Sequence, residues 1–168
     1  MIIVYCCYGG AHSSPIAAAI HLGKLNEDEI PSDTEIWNIH YYDKVDSRDR
    51  GRTLPVGHDK YGNEIYVCGR GSEKRGIEQA IRSGIHLAGG HIDDIVFVDT
   101  LPAVNHLMRI GGFLSRQLKW ISWGRPLVIK GTQKAYPNLV TIVRELKAQL
   151  DEGVASTDII TAKKKKEN

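Results

Sequence analysis

The stretch Cys7-Tyr8-Gly9-Gly10-Ala11-His12-Ser13-Ser14-Pro15 gathers the groups that hold and attack an oxyanion. Gly9 and Gly10 let the backbone turn its N–H groups inward, Ala11 included. Ser13 and Ser14 add hydroxyl donors. Pro15 suits the first turn of a helix, whose unpaired N–H groups and dipole favour negative charge. A cysteine at the mouth of such a nest has its thiolate stabilised, and a thiolate facing a bound oxyanion is a nucleophile. Cys7 is therefore the expected nucleophile, and Gly9, Gly10, Ala11, Ser13 and Ser14 the expected anion-binding set. His12 is a candidate acid and base.

Residues elsewhere could complete this site. Asp99 follows an apolar run, where site carboxylates commonly stand, and is expected to protonate a leaving group. Arg70 and Lys130 are expected to add positive charge, with Arg48, Arg50 and Arg52 on a loop able to close. Blander roles stand beside these: Cys7 as a small buried thiol, His12 as a solvent-facing residue, Asp99 as a helix cap, Lys130 as an exposed strand end. Cys6 points to the other face of its strand and is expected in the core. Cys68 reads as core, with a role as resolving thiol for Cys7 as the alternative. The chain has no His-Glu-x-x-His and no Cys-x-x-Cys, so neither metal nor cofactor is expected. Gly69 and Gly71 lack the spacing of a dinucleotide loop, and no Gly-x-x-x-x-Gly-Lys-Ser/Thr signature is present.

Cys-Tyr-Gly-Gly-Ala-His-Ser-Ser-Pro-Ile-Ala-Ala-Ala-Ile resembles the loop and first helix of low-molecular-weight protein tyrosine phosphatases and arsenate reductases. The resemblance places Cys7 on the nucleophile, Gly9 on the loop glycine and Ser14 on the serine that supports the thiolate. It implies a phosphatase-I-like fold and cysteine-based phosphoryl transfer. Ser13 stands where those families carry a phosphate-clamping arginine, and the chain has no Asp-Pro, their general-acid motif. The loop also resembles IIB subunits of sugar phosphotransferase systems, whose cysteine carries the phosphoryl group without an arginine. The whole chain resembles a small bacterial family with no assigned function.

The elements that must position these residues alternate. Ile2 to Cys7 is a continuous apolar run, as in a strand covered on both faces. A helix should follow from Ser13 to Leu22. Glu35 to His40 suggests a short strand, and 41–53 an exposed charged loop. Residues 55–68 suggest a hairpin turning near Gly62-Asn63. A helix is expected from Ser72 to Leu87, a strand from Asp94 to Val98, a helix from Ala103 to Trp120, a strand at Leu127-Val128-Ile129 and a final amphipathic helix from Leu139 to Leu150. The pattern predicts an α/β fold: three layers, a mostly parallel sheet of four or five strands and helices on both faces, phosphatase-I-like or Rossmann-like. Ligands of such folds bind beyond the carboxyl ends of the strands. Cys7–Ser14, Cys68–Gly71, Asp99-Thr100 and Lys130–Thr132 should then share one rim.

The 168 residues suit one domain over 1–150 with an extension over 151–168. The net charge of +2 comes from the Lys163–Lys166 run. Without those four lysines the 22 basic residues fall to 18 against 20 acidic, a net of −2, which argues against a nucleic-acid partner. No apolar run reaches the roughly 18 residues of a membrane span, and the N-terminus has no signal-peptide pattern. Three cysteines, two adjacent, imply no disulfide framework and suggest the cytoplasm. Trp120 and Trp123 read as buried; exposed, they would mark a homo-oligomer surface. The expected partner is a small phosphorylated molecule or inorganic oxyanion, bound with or without cysteine chemistry. The alternatives are a non-catalytic nucleotide- or phosphometabolite-binding regulatory module, and a scaffold whose loop merely caps a helix.

Overall fold

The structure is a computed structural model that describes residues 1–116, 121–152 and 160–161. The chain folds around β1 (Ile2–Cys7), whose Ile3, Val4, Tyr5 and Cys6 are inaccessible to solvent. That burial explains the unbroken apolar run: the strand has a covered face on each side. β1 pairs in parallel with β3 (Glu64–Gly69) on one side and β4 (Ile95–Asp99) on the other. β2 (Thr53–His58) runs antiparallel to β3, and the two-residue β5 (Ile160–Thr161) runs parallel to β4. The sheet order is β2-β3-β1-β4-β5. The α/β class holds, with an open mixed sheet of four strands and a short fifth. The expectation of a mostly parallel, three-layered fold is met in part, because the hairpin turns β2 against the rest.

Alternation along β1 sorts the packing. Ile3 and Tyr5 join Val96 and Val98 in a core with α1 (Ser13–His21), α2 (Asp33–Asn38) and α5 (Ile121–Asp151). Val4 and Cys6 join Cys68 and Phe97 on the opposite face, under Ile77, Ile81 and Ile85 of α3 (Lys74–Leu87). Those three isoleucines recur every four residues, one stripe of a helix.

Two expected strands are helical. Glu35–His40 falls largely in α2, which begins with a capping box: the Ser32 hydroxyl accepts from the Glu35 N–H, and the Glu35 carboxylate accepts from the Ser32 N–H. Leu127-Val128-Ile129 lies inside α5, which also contains Pro126 and Pro137. Buried Val128, Thr132, Ala135, Leu139, Ile142, Val143 and Leu146 form one continuous helical stripe, so burial along its length outweighs the hydrogen bonds the prolines remove. The helix expected over 103–120 is α4 (His106–Arg116), capped by the Asn105 side chain, which accepts from the Met108 N–H at 3.0 Å. α4 lies backbone to backbone on α5. A Cβ added at Gly111 would sit 2.5 Å from the Val128 nitrogen, and one at Gly131 2.5 Å from that of Met108.

A buried polar chain ties the hairpin to the core. The Tyr5 hydroxyl lies 2.7 Å from His21 Nδ1, and His21 Nε2 lies 3.2 Å from Asp59 Oδ2. Asp59 Oδ1 accepts from the N–H groups of Tyr61 and Asn63, closing the β2–β3 turn. Burial lowers the pKa of His21 below the ordinary histidine value. The neutral ring then donates from Nε2 to Asp59 and accepts at Nδ1 from Tyr5. No helix among the described residues is long and apolar enough to cross a membrane. The side chains of Trp120 and Trp123 and the Lys163–Lys166 run lie outside the described residues.

Candidate functional site

Cys7 ends β1, and its side chain lies at the floor of the loop that follows. Its Sγ lies 3.1 Å from Ser14 Oγ and accepts the Gly10 N–H at 3.1 Å. Gly10, at φ 72°, presses on the backbone at the end of β3: a Cβ there would lie 2.8 Å from the Gly69 nitrogen. Gly69 answers in kind, since its own Cβ would lie 2.7 Å from the Gly9 carbonyl carbon. Two glycines, one from each strand end, thus allow the loop to fold down over the sheet. Arg70 and Gly71 continue the contact, donating their N–H groups to the Cys7 and Tyr8 carbonyls at 2.9 and 2.8 Å.

The loop leaves donors unused. Among the described residues, the N–H groups of Gly9, Ala11 and His12 reach no protein acceptor, and no side chain caps α1. Ser13 is buried, and its hydroxyl donates to that of Thr100 at 2.8 Å, because the single Thr100 proton goes to the Cys6 carbonyl at 2.9 Å. Above the loop opens a cavity of about 810 Å³, lined by Cys7, Tyr8, Gly9, Ala11, His12 and Ser13. Its walls add Arg50 and Ser47 on one side and Leu101, Val104, Met108, Arg109 and Phe113 on the other. Among the described residues, no carboxylate lines it. The Arg50 guanidinium lies over the Tyr8 ring, 4.9 Å from its centroid. Arg48 and Arg52 instead pair with Asp46 and Asp49.

Asp43 was invisible in the sequence and organises the loop from behind. Its N–H donates to the Ala11 carbonyl at 2.8 Å, and its Oδ1 lies 3.1 Å from His12 Nε2. Its Oδ2 lies 3.6 Å from Nε of Arg125, whose guanidinium stacks 4.3 Å from the Trp37 ring centroid. Tyr41 and Asp43 both adopt positive φ, 68° and 51°. A positive φ at residues other than glycine leaves no compositional mark, beyond the tolerance of aspartate for that region. On the far side of His12, a Cβ at Gly112 would come within 3.0 Å of the ring's Cε1. The imidazole is thus fixed between Asp43 and the bare backbone of α4. Arg109 was also missed; its signal, a cation one turn into α4, needs the helix position to be seen.

Three expected site residues are placed elsewhere. Asp99 pairs in register with Cys6, so its side chain shares the α3 face with Cys68 and Arg70, away from Cys7. Buried Asp99 accepts from Lys74 at 2.9 Å and lies 2.9 Å from Arg70 Nη2. Both carboxylate oxygens are thus engaged on the α3 face. Arg70 is fully buried between Asp99 and Glu78, so its charge is matched inside the fold. Lys130 lies mid-way along α5, exposed and 3.6 Å from Asp33. With no strand at 127–129 it has no sheet rim to stand on. Cys6 and Cys68 face each other's strands under α3, burial pushes the Cys6 thiol well up, and all three cysteines are free. Among the described residues no cluster of His, Cys, Asp and Glu could hold a metal ion.

No curated protein and no solved structure matches the chain. A family described as "Protein of unknown function (DUF3189)" matches residues 2–148, which spans every element from β1 to nearly the end of α5. With that coverage, the chain belongs to the DUF3189 family.

Proposed function

We propose that the Cys7–Ser14 loop binds a phosphate-like oxyanion, with Cys7 as the nucleophile of a phosphoryl-transfer or related thiol reaction. One observation carries this reading. The Cys7 sulfur sits between the Gly10 N–H and the Ser14 hydroxyl, at the base of a cavity with unused loop N–H groups and, among the described residues, no lining carboxylate. Donors around the space above the sulfur favour an anion. The loop N–H groups hold the oxyanion, Arg50 and Arg109 supply charge at the rim, and His12 moves the proton. The likeness to low-molecular-weight phosphatases extends to the Cys–Ser pair and stops at the missing arginine.

The test is alkylation of Cys7 by iodoacetamide, mapped by mass spectrometry with and without inorganic phosphate. Cys6 and Cys68, both inaccessible to solvent, serve as internal controls. Phosphate should slow alkylation at Cys7 and leave the other two unlabelled. A Cys7 that neither phosphate nor an organic phosphate or phosphonate protects would end the oxyanion reading.

A non-catalytic binding module is the second reading, favoured by the ion pairs that hold Asp99 away from the cavity. It predicts that Cys7→Ser keeps anion affinity and that no phosphate ester is turned over by the unmodified protein.

A further inference from the structure

We infer that the ligand of this cavity is an oxyanion carried on an apolar organic body, rather than a nucleotide, a sugar phosphate or a free inorganic ion. The inference rests on the oxyanion reading above and adds what the anion is attached to. At about 810 Å³ the space falls within the usual 300–1,000 Å³ or so of small-molecule pockets. The loop N–H groups and Cys7 occupy one end only, so an inorganic ion leaves most of the volume unfilled.

The remaining surface is chemically one-sided. Leu101 and Val104, before α4, and Met108 and Phe113 on it present a hydrocarbon wall. Among the described residues the lining contains no Asp, Glu, Asn or Gln. A ribose or other polyol is ordinarily gripped by such side chains at its hydroxyls, and a nucleobase by amides at its edge. Along that wall a sugar would lose water without replacement partners, which is unfavourable. An alkyl or ring body loses only apolar hydration, at a gain of about 0.8 kcal/mol per buried CH₂. The cations suit the same ligand: Arg50 and Arg109 stand at the cavity walls to meet the charged end, and the hydrocarbon body lies along α4.

The probe is hexylphosphonate, which keeps a phosphate-like head, carries a six-carbon body and cannot be hydrolysed at its C–P bond by ester cleavage. Its protection of Cys7 against iodoacetamide is compared with that by inorganic phosphate, glucose 6-phosphate and AMP. Hexylphosphonate should reach half-protection at a concentration about tenfold or more below that of phosphate. Phe113 is 55% exposed, so Phe113→Ser should fold normally. It should cut the hexylphosphonate advantage over phosphate several-fold. Equal protection by all four anions, or preference for glucose 6-phosphate or AMP, overturns the apolar-body inference and leaves the oxyanion reading standing. Protection by none of them overturns both.

Discussion

His12 Nε2 lies 3.1 Å from Asp43 Oδ1, and the aspartate that makes this contact is itself held at a φ of 51°. Side chain and backbone therefore act in opposite directions at one residue. The carboxylate fixes the imidazole, while the left-handed backbone is strained for any residue with a Cβ. Glycine and alanine separate the two effects. Both remove the carboxylate, but only alanine keeps the strain, about 1–2 kcal/mol. Asp43→Ala should lower stability in urea by more than Asp43→Gly does, by about 1 kcal/mol. Equal losses would mean that the backbone at position 43 relaxes freely.

The glycine pair under the loop gives a second expectation. Gly10→Ala would drive a Cβ to 2.8 Å from the Gly69 nitrogen at an unfavourable φ of 72°. The loop must lift, with a loss of about 2 kcal/mol or more. Phosphate protection of Cys7 should fall with it. Gly9→Ala is the control, because nothing lies within 4 Å of a Cβ there. If both variants behave alike in denaturation and alkylation, close approach of the two backbones is not what shapes the loop.

Acid should weaken the fold through His21. Burial lowers its pKa below 6.5, so below that pH the unfolded chain takes up a proton that the folded protein does not. Stability should fall as pH drops through this value and level off once the folded-state pKa is passed. Asp59 extends the trend lower. Burial alone would raise its pKa, but hydrogen bonds from Asn63, His21 and Tyr61 prevail and hold it below 3.8. Urea midpoints at pH 7.5 and 5.5 measure the His21 part. His21→Gln, which keeps a donor toward Asp59 and cannot protonate, should flatten the difference. A wild-type midpoint that rises on acidification would contradict a neutral, buried His21.

Arg70 should prove to be a stabilising residue rather than a ligand-binding one. Arg70→Ala leaves buried Glu78 and Asp99 without their shared cation. Removing one partner of such a buried group typically destabilises by about 3–5 kcal/mol. Among molecules that remain folded, the phosphate concentration that half-protects Cys7 should not change. A large shift in that concentration with unchanged stability would return Arg70 to the anion site.

Much of the fold and part of the site were legible in the sequence. Short local signals were enough for β1, the Cys7–Ser14 loop, α1, the hairpin and α3, because each rests on an unbroken apolar run, a glycine turn or a clean four-residue stripe. The two misread strands had contrary signals in plain view. Ser32-x-x-Glu35 is a capping box, and the 3.6-residue spacing of the last helix reaches back through Tyr136 and Thr132 to Val128. A run of three β-branched or leucine residues does not by itself distinguish strand from helix. Asp99 and Arg70 were placed at the right edge of the sheet on the wrong face. The deciding fact is register: Cys6, not Cys7, pairs with Asp99, and a one-residue change in pairing inverts every side chain. Asp43 and Arg109 come to the loop through tertiary structure alone.

The contact of Gly111 with Val128 and of Gly131 with Met108 also bears on how selective the cavity can be. Where two helices touch through backbone, no side chain can give way between them, so the spacing cannot be adjusted by changing a rotamer. Met108 and Phe113 are thereby mounted on a wall of fixed position. Exchanging side chains on α4 would then change what the proposed ligand meets while the distance from that wall to Cys7 stays constant. The gauge of the pocket is set by two absent side chains, and its taste by those that are present.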